Sequence, residues 1–203
     1  MQLIGYLHDT IYSMYDKMNS VVNYTSSLTS EPFLYEETKI VAELRLQGYS
    51  DKEIRKKVVE DNIWGYKSIK QAKRLIPVVF RRMIFLDDNL TNILINGNEM
   101  DSKMVALYLV MKNNRLFSEF IQEVYITKAS SNDGIITKTD IRIFFDKKRQ
   151  QSKVVAGWKP YIFRKLVQVY INILFKSGLT CNTREKKGMV VKVNKEMSKY
   201  IIM

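Results

Sequence analysis

Residues 158–193 read WKPYIFRKLVQVYINILFKSGLTCNTREKKGMVVKV, and the reading of this stretch decides the fold. Pro160 suits the first turn of a helix, where its missing N–H leaves no bond unmade, and Gly178 suits the stop. At 100° per residue, Trp158, Tyr161, Lys165, Gln168, Asn172 and Lys176 fall on one stripe. Ile162, Phe163, Leu166, Tyr170, Ile173 and Leu174 cover the opposite side. The spacing therefore predicts a helix that buries one face and presents cations, amides and aromatics on the other. Downstream, LTCN and MVVKV are two β-like runs joined by TREKKG. A helix followed by a basic hairpin is the layout of a winged helix-turn-helix, in which a helix enters a DNA groove and the wing touches phosphate. The candidate contacts are Lys159, Tyr161, Arg164, Lys165, Gln168, Asn172 and Lys176 on the helix, with Arg184, Lys186, Lys187 and Lys192 on the hairpin.

Charge is distributed unevenly along the chain. Residues 138–203 hold 16 Lys and Arg against 4 Asp and Glu, whereas residues 1–137 hold 17 of each sign. The whole net charge of +12 thus lies in the last third. A solvated surface with no polyanion to meet mixes the signs, so this excess points to nucleic acid first, and to an acidic protein or an anionic membrane surface second.

A chain of 203 residues fits one large domain or two small ones. With 46% hydrophobic residues and only three prolines and eight glycines, it is globular and mainly helical. The single cysteine, Cys181, excludes an internal disulfide. The absence of a signal-peptide pattern at Met1 and of any apolar run near 18 residues predicts a soluble, cytoplasmic protein that does not enter membranes.

Upstream, residues 1–23 read as a helix with Leu7, Ile11 and Met14 in one row. Ser30 and Pro32 open the next, carrying Phe33, Leu34, Ile40, Val41 and Leu44 and stopping at Gly48. Ser50 and Glu53 form a capping box, as do Ser68 and Gln71. Between them NIWGY makes a turn. The helix after Ser68 places Lys67, Lys70, Arg74 and Arg81 on one side, with Ile69, Ala72, Leu75, Ile76 and Met83 facing away. Pro77 kinks it or ends it near Ile76. Residues 50–82 are therefore a second helix-turn-helix and a second candidate DNA contact. Asp87 or Asp88 caps a short helix ending at Gly97. Helices over 99–113 and 116–128 follow, then the SSNDG loop and a helix capped by Thr137 and Asp140. The division reads as a helical N-terminal domain over 1–98 and a C-terminal domain over 99–203 with a winged-helix-like end.

The central region resembles the BrxA family, a small component of BREX phage-defence systems. The similarity runs from about Tyr24 to the C-terminus and is densest over 33–82: EET (36–38), VAELRLQG, EIRKKVVEDN ending at Asn62, SIKQAKRL, and the pair Arg81 and Arg82. FIQEVY (120–125) and LFKSGL (174–179) match later features. The family tends to open its last long helix with Ser or Thr and Lys, where this chain has Trp158 and Lys159. The resemblance implies a mainly helical protein, similar to the antitermination factor NusB, that binds double-stranded DNA. It also makes other BREX components candidate partners.

Catalytic patterns are missing. The one histidine, His8, supports neither a triad nor a metal cluster, and Cys181 has no histidine nearby in sequence to act as base. Glu36–Glu37 and Asp87–Asp88 sit near helix starts, where the macrodipole favours carboxylates. No phosphate cradle or dinucleotide fingerprint occurs, so neither cofactor nor metal is expected. The reading is a non-enzymatic double-stranded DNA-binding protein of low sequence specificity. Its rivals are an assembly adaptor docking an acidic partner protein and a NusB-like RNA-binding protein.

Overall fold

The chain divides into two units in the computed structural model, which describes residues 23–129, 135–183 and 190–193, with backbone alone for 181–183 and 190–193. One unit is Glu31–Asn113, inserted into the other, which is Met1–Ser30 with Asn114–Met203. The units divide at 30/31 and 113/114, whereas the sequence reading puts one cut at 98/99. Helix 99–113 belongs to the inserted unit, where Ser102 Oγ donates to the carbonyls of Ile93 and Leu94 at 3.2 and 2.8 Å. The helix expected over 1–23 lies outside the described residues, except for Asn23.

The inserted unit is all helical: α1 Tyr35–Leu46, α2 Asp51–Glu60, α3 Ile69–Met83, α4 Asp88–Asn96 and α5 Glu99–Asn113. Helix α1 touches each of the other four. It opens later than its sequence suggests, because Leu34 adopts a left-handed backbone with φ of 56°. The buried Arg82 holds that turn by donating from Nη1 to the Phe33 carbonyl at 2.7 Å, and burial pushes its pKa down to about 10. Ser50 and Glu53 form the expected capping box on α2. Asn62 then braces the turn by bonding both the N–H and the carbonyl of Tyr66 at 3.0 Å.

Helix α3 departs from expectation at its start, where Ser68 makes no side-chain cap. Of the two outcomes expected at Pro77, ending there is excluded, because the helix runs on to Met83. A proline inside a helix costs about 3 kcal/mol; here Leu75, Ile76, Val78 and Val79 are buried on both sides of it and offset that loss. Ile69, expected inward, is exposed. At the end of α4, capped by Asp87 through the Leu90 N–H, a Cβ on Gly97 would lie 2.4 Å from the Ile93 carbonyl oxygen. Only glycine fits there.

The other unit begins with a 3₁₀ turn, Ser27–Thr29, and resumes with α6 Arg115–Phe120. The chain then passes through a π-helical segment, Ile121–Ile126, into α7 Thr127–Ala129. Strand β1 Ile135–Ile136 follows, then α8 Lys138–Gln151, α9 Lys153–Ala156, α10 Pro160–Lys176, and strands β2 Thr180–Thr183 and β3 Val190–Val193. All pairings are antiparallel and the strand order is β1-β3-β2, so Lys192 lies opposite both Cys181 and Ile135. The hairpin is as expected; β1 is an addition to it. Thr137 and Asp140 form the capping box that starts α8.

Tyr170 on α10 sits at the centre of the core of this unit. Its ring lies 4.9 Å from Phe117, 4.9 Å from Phe120 and 5.3 Å from Phe145. Its hydroxyl is buried without a hydrogen-bond partner among the described residues, and burial raises its pKa well above the usual tyrosine value. Tyr170→Phe keeps the packing and removes the unpaired hydroxyl, so it is expected to raise stability by about 1 kcal/mol in denaturant titration. An equal loss would show that the hydroxyl is engaged.

Candidate nucleic-acid interface

Helix α10 exists because its apolar residues recur at helical spacing between Pro160 at the first turn and Gly178, whose φ of 80° ends it. Leu166, Val167, Tyr170, Ile171, Ile173 and Leu174 are buried. Tyr161, Arg164, Lys165, Gln168, Asn172 and Lys176 are all exposed, as is Lys159 at the N-cap. The expected stripe is thus one continuous solvent-facing surface, about 22 Å long at 1.5 Å per residue. Among the described residues, Lys159, Arg164, Lys165 and Lys176 have no ion-pair partner and Gln168 and Asn172 no side-chain hydrogen bond. These groups are available to a ligand. On the hairpin, Lys192 is placed by its backbone on the central strand β3. Arg184, Lys186 and Lys187 lie outside the described residues.

The second basic face is differently arranged. Lys67, Lys70, Arg74 and Arg81 are exposed, with Lys67 just ahead of α3. Arg81 is paired with Glu31 at 2.7 Å, and Arg74 faces the Tyr66–Glu37 hydrogen bond. Burial and that bond drive the Tyr66 phenol far above its ordinary value. On the preceding helices Arg45 holds Asp51 through two 3.0 Å bonds, and Arg55 stacks over Phe80 at 4.1 Å. This face is cationic yet partly neutralised by its own unit.

Beneath α8 lies a buried charge cluster that sequence reading did not find. Lys148, 4% exposed, reaches Glu119 and Glu123 at 2.5 Å each. Glu119 also accepts from Arg115 at 2.8 Å and from the Tyr24 hydroxyl. Burial pushes the Glu119 carboxyl up, but hydrogen bonds from Lys148, Arg115 and Tyr24 bring it below its ordinary value. Burial pushes Lys148 down, and its two carboxylates raise it overall. A lysine in the run DKKRQQSK gives no sign of being internal; the only hint is its place at i+4 from Phe144, on the apolar side of α8.

Sequence reading also missed a cleft of about 330 Å³ between α8 and the start of α10, lined by Arg142, Arg149, Arg164, Trp158 and Phe163 among others. The available signal was Arg142 and Arg149 at i and i+7, two turns apart on one helix face. Among the described residues no group of three His, Cys, Asp or Glu side chains could hold a metal ion. No described helix is long and apolar enough to cross a membrane.

These features define a mainly helical protein of two units, with an unpaired basic helix face beside a small antiparallel sheet. The sequence profile of the BrxA family matches residues 22–202, and the chain belongs to that family. It is 38% identical over 161 residues to the BREX protein BrxA of Bacillus cereus (strain H3081.97), covering 79% of this chain and 80% of that protein. Its fold is similar to the crystal structure of an uncharacterized protein from Magnetospirillum magneticum, with a TM-score of 0.67 at 14% identity, over 89% of this chain and 97% of that one.

Proposed function

We propose that this protein is a double-stranded DNA-binding component of a BREX-type phage-defence system, acting by binding and not by catalysis. The observation that carries this reading is the α10 surface, where four exposed cations without ion-pair partners among the described residues flank Gln168 and Asn172. The element order supports it: β1, then α8, the four-residue α9 and α10, then the hairpin, with β3 between β1 and β2, resembles a winged helix-turn-helix with one short extra helix. In that arrangement α10 enters the groove and the hairpin touches the backbone. The family relation supports the BREX setting and other BREX components as partners.

Phosphate contact makes affinity depend on salt. Log affinity for duplex DNA is expected to fall linearly with log salt, with a slope of about −0.9 for each phosphate neutralised. With only two amides on the stripe to read bases, unrelated duplexes are expected to bind with comparable affinity; a single good bidentate base contact, worth about 1–3 kcal/mol, would show as a spread of roughly 5- to 150-fold. Filter binding at several salt concentrations measures both. A flat salt response rejects phosphate binding, and favours the adaptor reading if an acidic partner protein binds instead.

A further inference from the structure

The cleft between α8 and the first turns of α10 is built unlike the flat α10 stripe. Its floor is aromatic: Trp158 and Phe163 have ring centroids 5.9 Å apart at 39°, and Phe163 rests on the buried Phe145 at 5.7 Å. Three arginines border it. Arg149 lies over the Phe163 ring with Cζ 5.4 Å from the centroid, and its Nη1 is 3.5 Å from Asp146, the one acid in the lining. Arg142 and Arg164 are exposed and have no ion-pair partner among the described residues. The lining therefore carries a net positive charge around the half-buried rings of Trp158 and Phe163.

That pairing is selective about chemistry. Aromatic faces take a flat ring by stacking, and arginine forks take phosphate through paired hydrogen bonds. A ligand satisfying both has a planar ring system and a phosphate a few ångströms away. The volume of about 330 Å³ is at the small end of ligand sites, suited to one such unit and too small for a stretch of peptide. We propose that this cleft is a nucleotide site, with the base against Trp158 and Phe163 and the phosphate on Arg142, Arg149 and Arg164. The nucleotide is either free or an unpaired residue of a strand. The site goes beyond the duplex reading and does not require it.

Trp158 reports on its own site, because the chain has only one other tryptophan, Trp64. In full-length protein carrying Trp64→Phe, fluorescence is followed on adding dAMP, a ten-residue oligo-dA single strand, deoxyadenosine or inorganic phosphate. Saturable quenching with a Kd at or below about 1 mM is expected for dAMP or the strand. Deoxyadenosine should bind at least tenfold more weakly, and phosphate should compete without quenching. Saturation by dAMP points to a free nucleotide; saturation by the strand alone points to an unpaired one. Arg142→Gln and Arg149→Gln are each expected to weaken binding about tenfold or more, with circular dichroism unchanged. Arg142→Gln guards against misfolding, because that side chain bonds nothing among the described residues.

Equal binding of deoxyadenosine and dAMP overturns the proposal, as does quenching that survives both arginine changes. Tighter saturation by an acidic, tyrosine-containing peptide also overturns it and assigns the cleft to a protein. Duplex binding is measured on the same sample. Retained duplex binding with no nucleotide quenching overturns this site alone, and the reverse result overturns the duplex reading alone.

Discussion

Replacing Lys148 with methionine is expected to destabilise the protein by about 3–5 kcal/mol at neutral pH, the usual penalty for breaking a buried ion pair from one side. The size follows from what remains. Glu119 is as buried as Lys148 and, among the described residues, keeps only Arg115 and Tyr24. Its charge would then be poorly compensated, and burial would push its carboxyl up. The deficit should therefore shrink as pH falls through the carboxylate range, because a protonated Glu119 no longer needs the lysine. In the wild type the lowered Glu119 contributes stability that is present above the ordinary glutamate value and lost as pH falls through its folded value. The raised Lys148 contributes stability that is present below the ordinary lysine value and lost as pH rises through its folded value. Urea titrations of both proteins between about pH 4 and 9 check this. A pH-independent deficit under about 1 kcal/mol would show that Lys148 only packs.

A comparable effect on binding is expected from Lys159→Ala, Lys165→Ala and Lys176→Ala combined. At about 0.15 M salt each released counterion contributes roughly fivefold to duplex affinity, so three lost contacts amount to about 100-fold. The matching triple on the inserted unit, Lys70→Ala, Arg74→Ala and Arg81→Ala, is expected to have a smaller effect, because Arg81 is already engaged by Glu31. All six side chains are exposed, and circular dichroism verifies that both variants fold. If the second triple abolishes binding and the first leaves it intact, the helix-turn-helix over 50–82 contacts the DNA and the α10 surface serves a protein partner.

Helix α10 was legible because its signals are local and agree: a proline at the start, a glycine at the stop and an apolar face between them. The capping boxes at Ser50–Glu53 and Thr137–Asp140 were legible for the same reason. Where the sequence misled, a distant residue decided. Leu34 leaves the helical region where Arg82, 48 positions on, holds the Phe33 carbonyl. The two-residue strand β1 has no pattern of its own and exists only through pairing with β3. The π segment follows α6 without a proline, a glycine or any other breaker. At the candidate interface the exposed stripe could be read from one helix, whereas the arginine-aromatic cleft needs α8 and α10 together.

The insertion of one unit into the other has a consequence for synthesis. Thr25 and Ser27 lie within 3.3 and 3.5 Å of the Asn114 amide nitrogen, so the chain leaves and re-enters its outer unit at nearly the same place. On the ribosome, the segment carrying Tyr24 emerges long before Glu119, its partner 95 residues later. At about 5–20 residues per second it waits roughly 5–20 s. During that time all five helices of the inserted unit are translated and can close on themselves. The nascent chain thus has the whole inserted unit in hand first, and the other unit is completed only after the residues from Asn114 onward are made.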